Sequence, residues 1–144
     1  MSARMAWAGV LLMLVALLPA DLAAQQLKGA LEQVAAAWAK GDATAVANHA
    51  GPAGVALDVD GSPTGPFPPR QAAAVLRRVF EDRETLTVEV GLAKEVGGEP
   101  ARGFGELNWV VRVRGTTIPE RVSIFVALVK VEGRWHVSEI RLMP

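Results

Sequence analysis

The hydrophobic pattern of this 144-residue chain changes at Asp82. Before this residue, apolar side chains recur every three to four positions, which is typical of amphipathic helices, apart from one short alternating segment at 54–61. After it, apolar and polar side chains alternate over four long segments, which is typical of strands. Because the helices come first and the strands follow, the sequence predicts an α+β domain with N-terminal helices packed on an antiparallel sheet.

The first two predicted helices are marked by an apolar stripe and by end signals. The stripe has spacings of four, three and four residues: Leu27, Leu31, Val34 and Trp38. Gly41 is at the position of a C-terminal cap residue with left-handed backbone conformation. Asp42 can then cap the N-terminus of a short second helix at 43–50. The glycine and proline at 51–52 end that second helix.

The segment 61–69 contains four prolines and is predicted to be an irregular loop. Pro68 or Pro69 then fits the first turn of a third helix, because the N–H groups of that turn make no hydrogen bond within the helix. Between Ala72 and Phe80 the apolar stripe of this helix is wide enough to lie on a sheet. We therefore expect the proline-rich loop to fix the angle at which the helix packs.

The alternating segments predict a sheet of four to five strands. The four long strands are expected at 85–96, 103–115, 120–131 and 133–142. The third of them is apolar on both faces, as is typical of a central strand. The short segment 54–61 adds a fifth strand, on which Asp58 and Asp60 are expected to face solvent.

The N-terminal segment has the order of parts of a secretory signal peptide. Arg4 is followed by thirteen apolar residues at 6–18, and small residues precede a cleavage point after Ala24. Thirteen residues are fewer than the roughly 20 that span a bilayer, although a retained anchor remains the alternative. We therefore predict a signal peptide at 1–24 and one exported domain at 25–144, periplasmic or extracellular, with no stable membrane span after cleavage.

Composition argues against several classes of function. Lysine plus arginine equals aspartate plus glutamate, 15 of each, so the chain lacks the positive charge that nucleic-acid binding requires. The chain contains no cysteine, and its few serines do not lie in a nucleophile-elbow motif. The segment at 58–62 is not an EF-hand loop, since its twelfth position is Pro69 where glutamate is needed. No metal and no cofactor are expected.

Two segments resemble a known superfamily: "VALDVDGSPTGPFPPRQAAAVLRRVFED" at 55–82 and "GRWHVSEIRL" at 133–142. The order of elements and these segments are similar to the nuclear transport factor 2-like, or cystatin-like α+β cone, superfamily, and within it to a bacterial secreted family of unknown function. The resemblance implies a curved sheet wrapped around the long helix, with a cone-shaped cavity. In enzymes of that superfamily the cavity holds Asp, His or Tyr; other members only bind or dimerise.

His136 is the residue that most invites a catalytic hypothesis. Strict alternation would put its imidazole on one strand face with Ser138, Ile140 and Leu142, where a general base could have Asp58 or Glu139 as a partner. The alternative is a hydrogen-bonded histidine in the core or at its rim, because no orienting partner is identifiable. The other histidine, His49, is expected to stabilise the end of the second helix.

The hypothesis that this pattern favours is a non-catalytic binding or interaction module. Its partner would be a small apolar ligand or another protein, and a homodimer through the open sheet face is a further expectation. Four side chains are candidates to line a ligand pocket: Trp38, Phe67, Trp109 and His136. The alternative is a small lyase or isomerase that uses a cavity histidine, against which the absence of tyrosine counts.

Overall fold

The computed structural model describes residues 19–144, so the predicted apolar segment at 6–18 lies outside the described residues. This described part of the chain forms three helices and six strands, in the order α1 (Pro19–Ala39), α2 (Ala43–Ala47), β1 (Val55–Asp58), β2 (Thr64–Phe67), α3 (Pro69–Glu81), β3 (Arg83–Gly97), β4 (Arg102–Val113), β5 (Glu120–Val131) and β6 (Arg134–Met143). The strands form one curved, unclosed sheet in the order β2-β1-β6-β5-β4-β3. The α+β prediction is confirmed.

The predicted strand count of four to five was too low, because β2 lies inside the segment that was expected to be an irregular loop. Val55 pairs with Phe67 and Leu57 with Thr64, so β2 runs antiparallel to β1 at the edge of the sheet. Pro66 lies within β2, and proline is compatible with an edge strand because the missing N–H can face away from the ladder.

Strand β1 lies between β2 and β6 and runs parallel to β6, so most of its side chains are covered. Asp58 was expected to face solvent, but only 8% of it is exposed. Its carboxylate accepts a hydrogen bond from the backbone N–H of Gly61 at 2.8 Å and lies 3.9 Å from Nε of Arg141. The turn that follows β1 therefore folds back over this side chain.

The apolar stripe of α1 forms the centre of the core, as predicted, and all four of its members are at most 1% exposed. Two glycines of β4 allow this close packing. A Cβ atom on Gly103 would lie 2.9 Å from Cδ2 of Leu27, and one on Gly105 would overlap the side chain of Leu31. The helix can therefore approach the sheet only because these two positions carry no side chain.

The predicted end of α1 and the predicted starts of α2 and α3 are also confirmed, but α2 ends at Ala47 rather than at residue 50, so His49 lies beyond the helix that it was expected to stabilise. Gly41 has a φ of +63°, and the side chain of Asp42 accepts a hydrogen bond from the N–H of Ala45 at 3.0 Å. Helix α3 begins at Pro69, directly after Pro68. Within residues 19–144, no helix is both long and apolar enough to cross a membrane.

Candidate functional site

A bulge in β6 places His136 on the face opposite to the one predicted. Ala127 pairs with Glu139 and Leu128 with Val137, so Ser138 is an extra residue in the ladder. One extra residue reverses the alternation of the side chains that precede it. Val137 therefore points into the core. The prediction that His136 shares a face with Ile140 and Leu142 was wrong.

The two histidines meet where the chain after α2 touches β6. The N–H of Val137 donates to the carbonyl of His49 at 2.7 Å, and the N–H of Gly51 donates to the carbonyl of Val137 at 3.3 Å. A Cβ atom on Gly51 would lie 3.1 Å from Cβ of His136. Burial, and secondly the charge of His136, lower the pKa of the half-buried His49.

The carboxylates proposed as partners of His136 are engaged elsewhere. Nη2 of Arg141 donates to Glu139 at 2.6 Å, and Nε of the same arginine lies 3.9 Å from Asp58. His136 lines a cleft of about 480 Å³ together with four other residues: Pro52, Val131, Glu132 and Arg134. The structure therefore brings Asp58 and Glu139 together around Arg141, but it does not bring either of them to the cleft of His136.

The interior that the resemblance assigns to a cavity is occupied by an aromatic cluster. The ring of Trp38 meets those of Phe80 and Trp109 edge to face, with centroids 5.0 and 5.3 Å apart. Nε1 of Trp109 donates to Oγ1 of Thr85 at 2.9 Å. Trp38 is completely buried, and its Nε1 has no hydrogen-bond partner in residues 19–144. These contacts fill the space between α1, α3 and the sheet.

The four residues predicted to line one pocket are distributed over different parts of the fold. Trp38 lies in the core, whereas Phe67 is half-buried on the edge strand β2. Trp109 is buried in the core and only borders a cleft on the other side of the sheet, and His136 borders the separate cleft described above. The described part of the chain also contains no group of three or more His, Asp or Glu side chains that could hold a metal ion.

The face of the sheet that the helices leave open carries the aromatic residues that sequence reasoning missed. The register of β4 and β5 places Phe104 and Phe125 on this face, because their neighbours along each strand point into the core. Their ring centroids are 5.8 Å apart, and the guanidinium of Arg141 lies 5.6 Å from the centroid of Phe125. The signal in the sequence was that each phenylalanine occupies a position where an alternating strand usually has a polar residue.

A cleft of about 650 Å³ lies on the same side of the sheet as these rings and is lined by residues of β3, β4 and β5 and by the last two residues of the chain. Half of its lining residues are polar, and these include Glu89, Asn108, Arg121 and Ser123. A surface with aromatic side chains and a polar surround is the arrangement typical of protein-binding sites. We call the outward side chains of β3, β4, β5 and β6 the open face.

This architecture is the nuclear transport factor 2-like fold, as the resemblance of the sequence implied. Several solved structures are similar to it. A ketosteroid isomerase-like protein from Erwinia carotovora atroseptica superposes with a TM-score of 0.68 at 18% identity, covering 83% of this chain and 94% of that one. A DUF4783 family protein from Bacteroides ovatus superposes with a TM-score of 0.63 at 16% identity, covering 77% and 91%.

A third similar structure is that of an NTF-2 like protein of unknown function from Shewanella oneidensis, with a TM-score of 0.62 at 13% identity, covering 83% of this chain and 98% of that one. At such identities the likeness concerns the fold. No protein-family model matches the sequence, and no curated protein matches it.

Proposed function

We propose that this chain is a non-catalytic interaction module that forms a homodimer through the open face. The observation that carries the proposal is the pair of Phe104 and Phe125 on a sheet face that no helix covers in residues 19–144. Clustered aromatic side chains on a surface are typical of protein–protein interfaces, in which they supply much of the binding energy.

The open face has a suitable size for a dimer interface. Four strands at a spacing of about 4.8 Å, each about ten residues long, cover roughly 650 Å² in projection. A stable interface of standard size buries about 800 Å² of accessible surface on each partner. Because side chains make the accessible area larger than the projected area, the open face is large enough for one such interface.

The charges of the open face are compatible with pairing to an identical copy. Acidic Glu106 and Glu139 alternate there with basic Arg102, Arg121 and Arg141. In a twofold interface the same patch contacts itself, so it must carry both signs of charge to be complementary. A patch of one sign would repel its copy.

We also propose that the domain acts outside the cytoplasm after removal of residues 1–24. Helix α1 begins at Pro19, so the cleavage point after Ala24 lies in its first turns. From Asp21 onwards, the first residue of α1 that is buried in the core is Leu27. Cleavage after Ala24 would therefore leave the core contacts of the helix intact. N-terminal sequencing of the protein exported from the full chain tests this directly, and a first residue other than Gln25 would contradict it.

Sedimentation equilibrium of the exported protein tests the dimer. Replacing Phe125→Arg puts a charge at the centre of the open face, and loss of a central aromatic contact weakens such interfaces by about 2 kcal/mol, or roughly 30-fold in dissociation constant. Ile118→Arg is the matched control, because Ile118 is 76% exposed in the loop between β4 and β5, outside the open face. A monomeric wild type, or equal effects of the two variants, would refute the dimer.

The lyase or isomerase alternative is favoured by one observation, the ketosteroid isomerase-like neighbour. Against it, the aromatic cluster occupies the interior, and Asp58 and Glu139 are bound to Arg141 rather than placed beside His136. Native mass spectrometry of the exported protein distinguishes the two proposals. A small-molecule adduct that is lost in His136→Ala would support the alternative.

A further inference from the structure

Strand β3 forms a free edge of the sheet. It pairs with β4 on one side, and no strand of residues 19–144 pairs with its other side. Its outer edge therefore presents backbone N–H and C=O groups that an additional strand could pair with. Three of the five exposed large hydrophobic residues in the described chain lie on this strand: Leu86, Leu92 and Val96.

A groove runs along this edge between β3 and α1. It has a volume of about 410 Å³, and its apolar walls are Ala35, Ala36 and Ala39 of α1 and Val88 and Val90 of β3. Alanine side chains on the helix leave space above the strand that larger residues would fill. The groove therefore offers apolar contacts to side chains of a segment that lies alongside β3.

Bulges limit the length of the segment that can pair. Compared with β4, strand β3 contains three extra residues, Leu86, Gly91 and Val96, and each interrupts the ladder. Between the first two bulges, Thr87–Val90 is regular over four residues. If a second copy of β3 paired with this edge, its own bulges would also interrupt the ladder, because they recur every five residues. A short peptide can pair with the regular stretch alone.

We propose that the edge of β3 between Leu86 and Gly91 binds an extended peptide of another protein by strand addition. Alternate apolar side chains of the peptide enter the groove beside Ala36 and Val88, while the backbone pairs with β3. Side chains on the other face of the peptide lie near Glu89, which has no ion pair within residues 19–144, so basic residues are favoured there. Glu89 also lines the cleft of about 650 Å³ on the side of the open face, so the two proposed sites adjoin along β3. Their tests are independent, because strand addition is measured with the probes and the dimer by sedimentation.

The test uses the protein produced from the full chain and a synthetic probe, acetyl-Lys-Val-Lys-Val-Lys-Val-amide. Successive N–H groups of a strand point to opposite edges, so only one set of probe amides can face β3. We therefore compare two methylated probes, one with N-methyl valines and one with N-methyl lysines. Strand addition predicts that one of them binds at least about tenfold more weakly than the parent and that the other retains its affinity.

Protein variants and amide exchange locate the site. Ala36→Arg should weaken binding of the parent probe by at least about tenfold, because the larger side chain fills the groove. Gln33→Arg is the matched control, since it adds the same charge at another exposed position of α1, outside the groove, and should leave affinity within about twofold. Hydrogen exchange of the amides in 87–90 that point away from β4 should slow when the probe binds. A Glu-Val probe of the same length should bind more weakly than the Lys-Val probe.

Several results would overturn the inference. Equal affinity of the two methylated probes would show that backbone pairing is not involved. Absence of saturable binding by both the Lys-Val and Glu-Val probes would exclude strand addition at this edge. Slow exchange, without any peptide, of those amides in 87–90 that point away from β4 would mean that a second copy already occupies the edge. Because Phe125→Arg should leave probe binding unchanged, failure of the dimer can be recognised separately.

Discussion

Gly29 lies within α1, at the fifth position of the proposed exported chain, and glycine is unfavourable in a helix unless packing or backbone geometry requires it. Neither requirement applies at this position. A Cβ atom built on Gly29 would have no heavy atom within 4 Å, and the residue does not have a positive φ. We therefore predict that Gly29→Ala stabilises the protein by about 0.8–1 kcal/mol, which is the difference in helix propensity between the two residues.

The gain should appear as a higher melting temperature. The unfolding entropy of a domain of about 120 residues is roughly 250 cal/mol/K, so about 1 kcal/mol corresponds to an increase of about 4 °C. Thermal melts followed by circular dichroism would measure the increase. Urea titrations would measure it too, provided that the dependence of the unfolding free energy on urea concentration is the same in both proteins. An unchanged or lower stability would refute the reasoning, because it would show that α1 is not helical at Gly29 or that another group packs against it.

Gly105→Ala is the matched control for this prediction. It makes the same chemical change at a position where the added Cβ would overlap the side chain of Leu31. Overpacking of this kind typically lowers stability by about 1–3 kcal/mol. The two substitutions are thus expected to have opposite signs, and equal effects would mean that close packing between α1 and β4 does not determine the outcome.

Three further predictions concern the core and the histidine contact. Trp38→Ala should lower the free energy of unfolding by about 3–5 kcal/mol in urea titrations, because it empties the centre of the aromatic cluster; a loss below 1 kcal/mol would contradict that placement. Thr85→Val should lower it by about 1–3 kcal/mol, since Nε1 of Trp109 would lose its acceptor, and an unchanged stability would contradict this role. His49 has a lowered pKa when folded, so the unfolded chain binds more protons below its ordinary pKa of about 6.5. Stability should therefore fall as pH falls from about 7.5 to about 5.5, and His49→Gln should reduce this fall; an equal fall in the variant would exclude the histidine contact as its cause.

The local sequence was sufficient to predict much of the helical layer. The stripe of α1, the left-handed Gly41 and the cap at Asp42 all depend on interactions within a few residues of the chain. The change of period at Asp82 likewise predicted the sheet, because a half-buried strand needs alternating side chains whatever its partners are. These features give the fold class without knowledge of tertiary contacts.

The candidate sites could not be derived in the same way, because they depend on which strands are neighbours and on their register. The bulge at Ser138 reverses the face of His136, and nothing local in the sequence marks the extra residue. The pairing of β1 with β6 buries Asp58, and that contact joins residues about 80 positions apart. Phe104 and Phe125 were visible as exceptions to alternation, but only the tertiary structure placed them side by side on a face that the helices leave open.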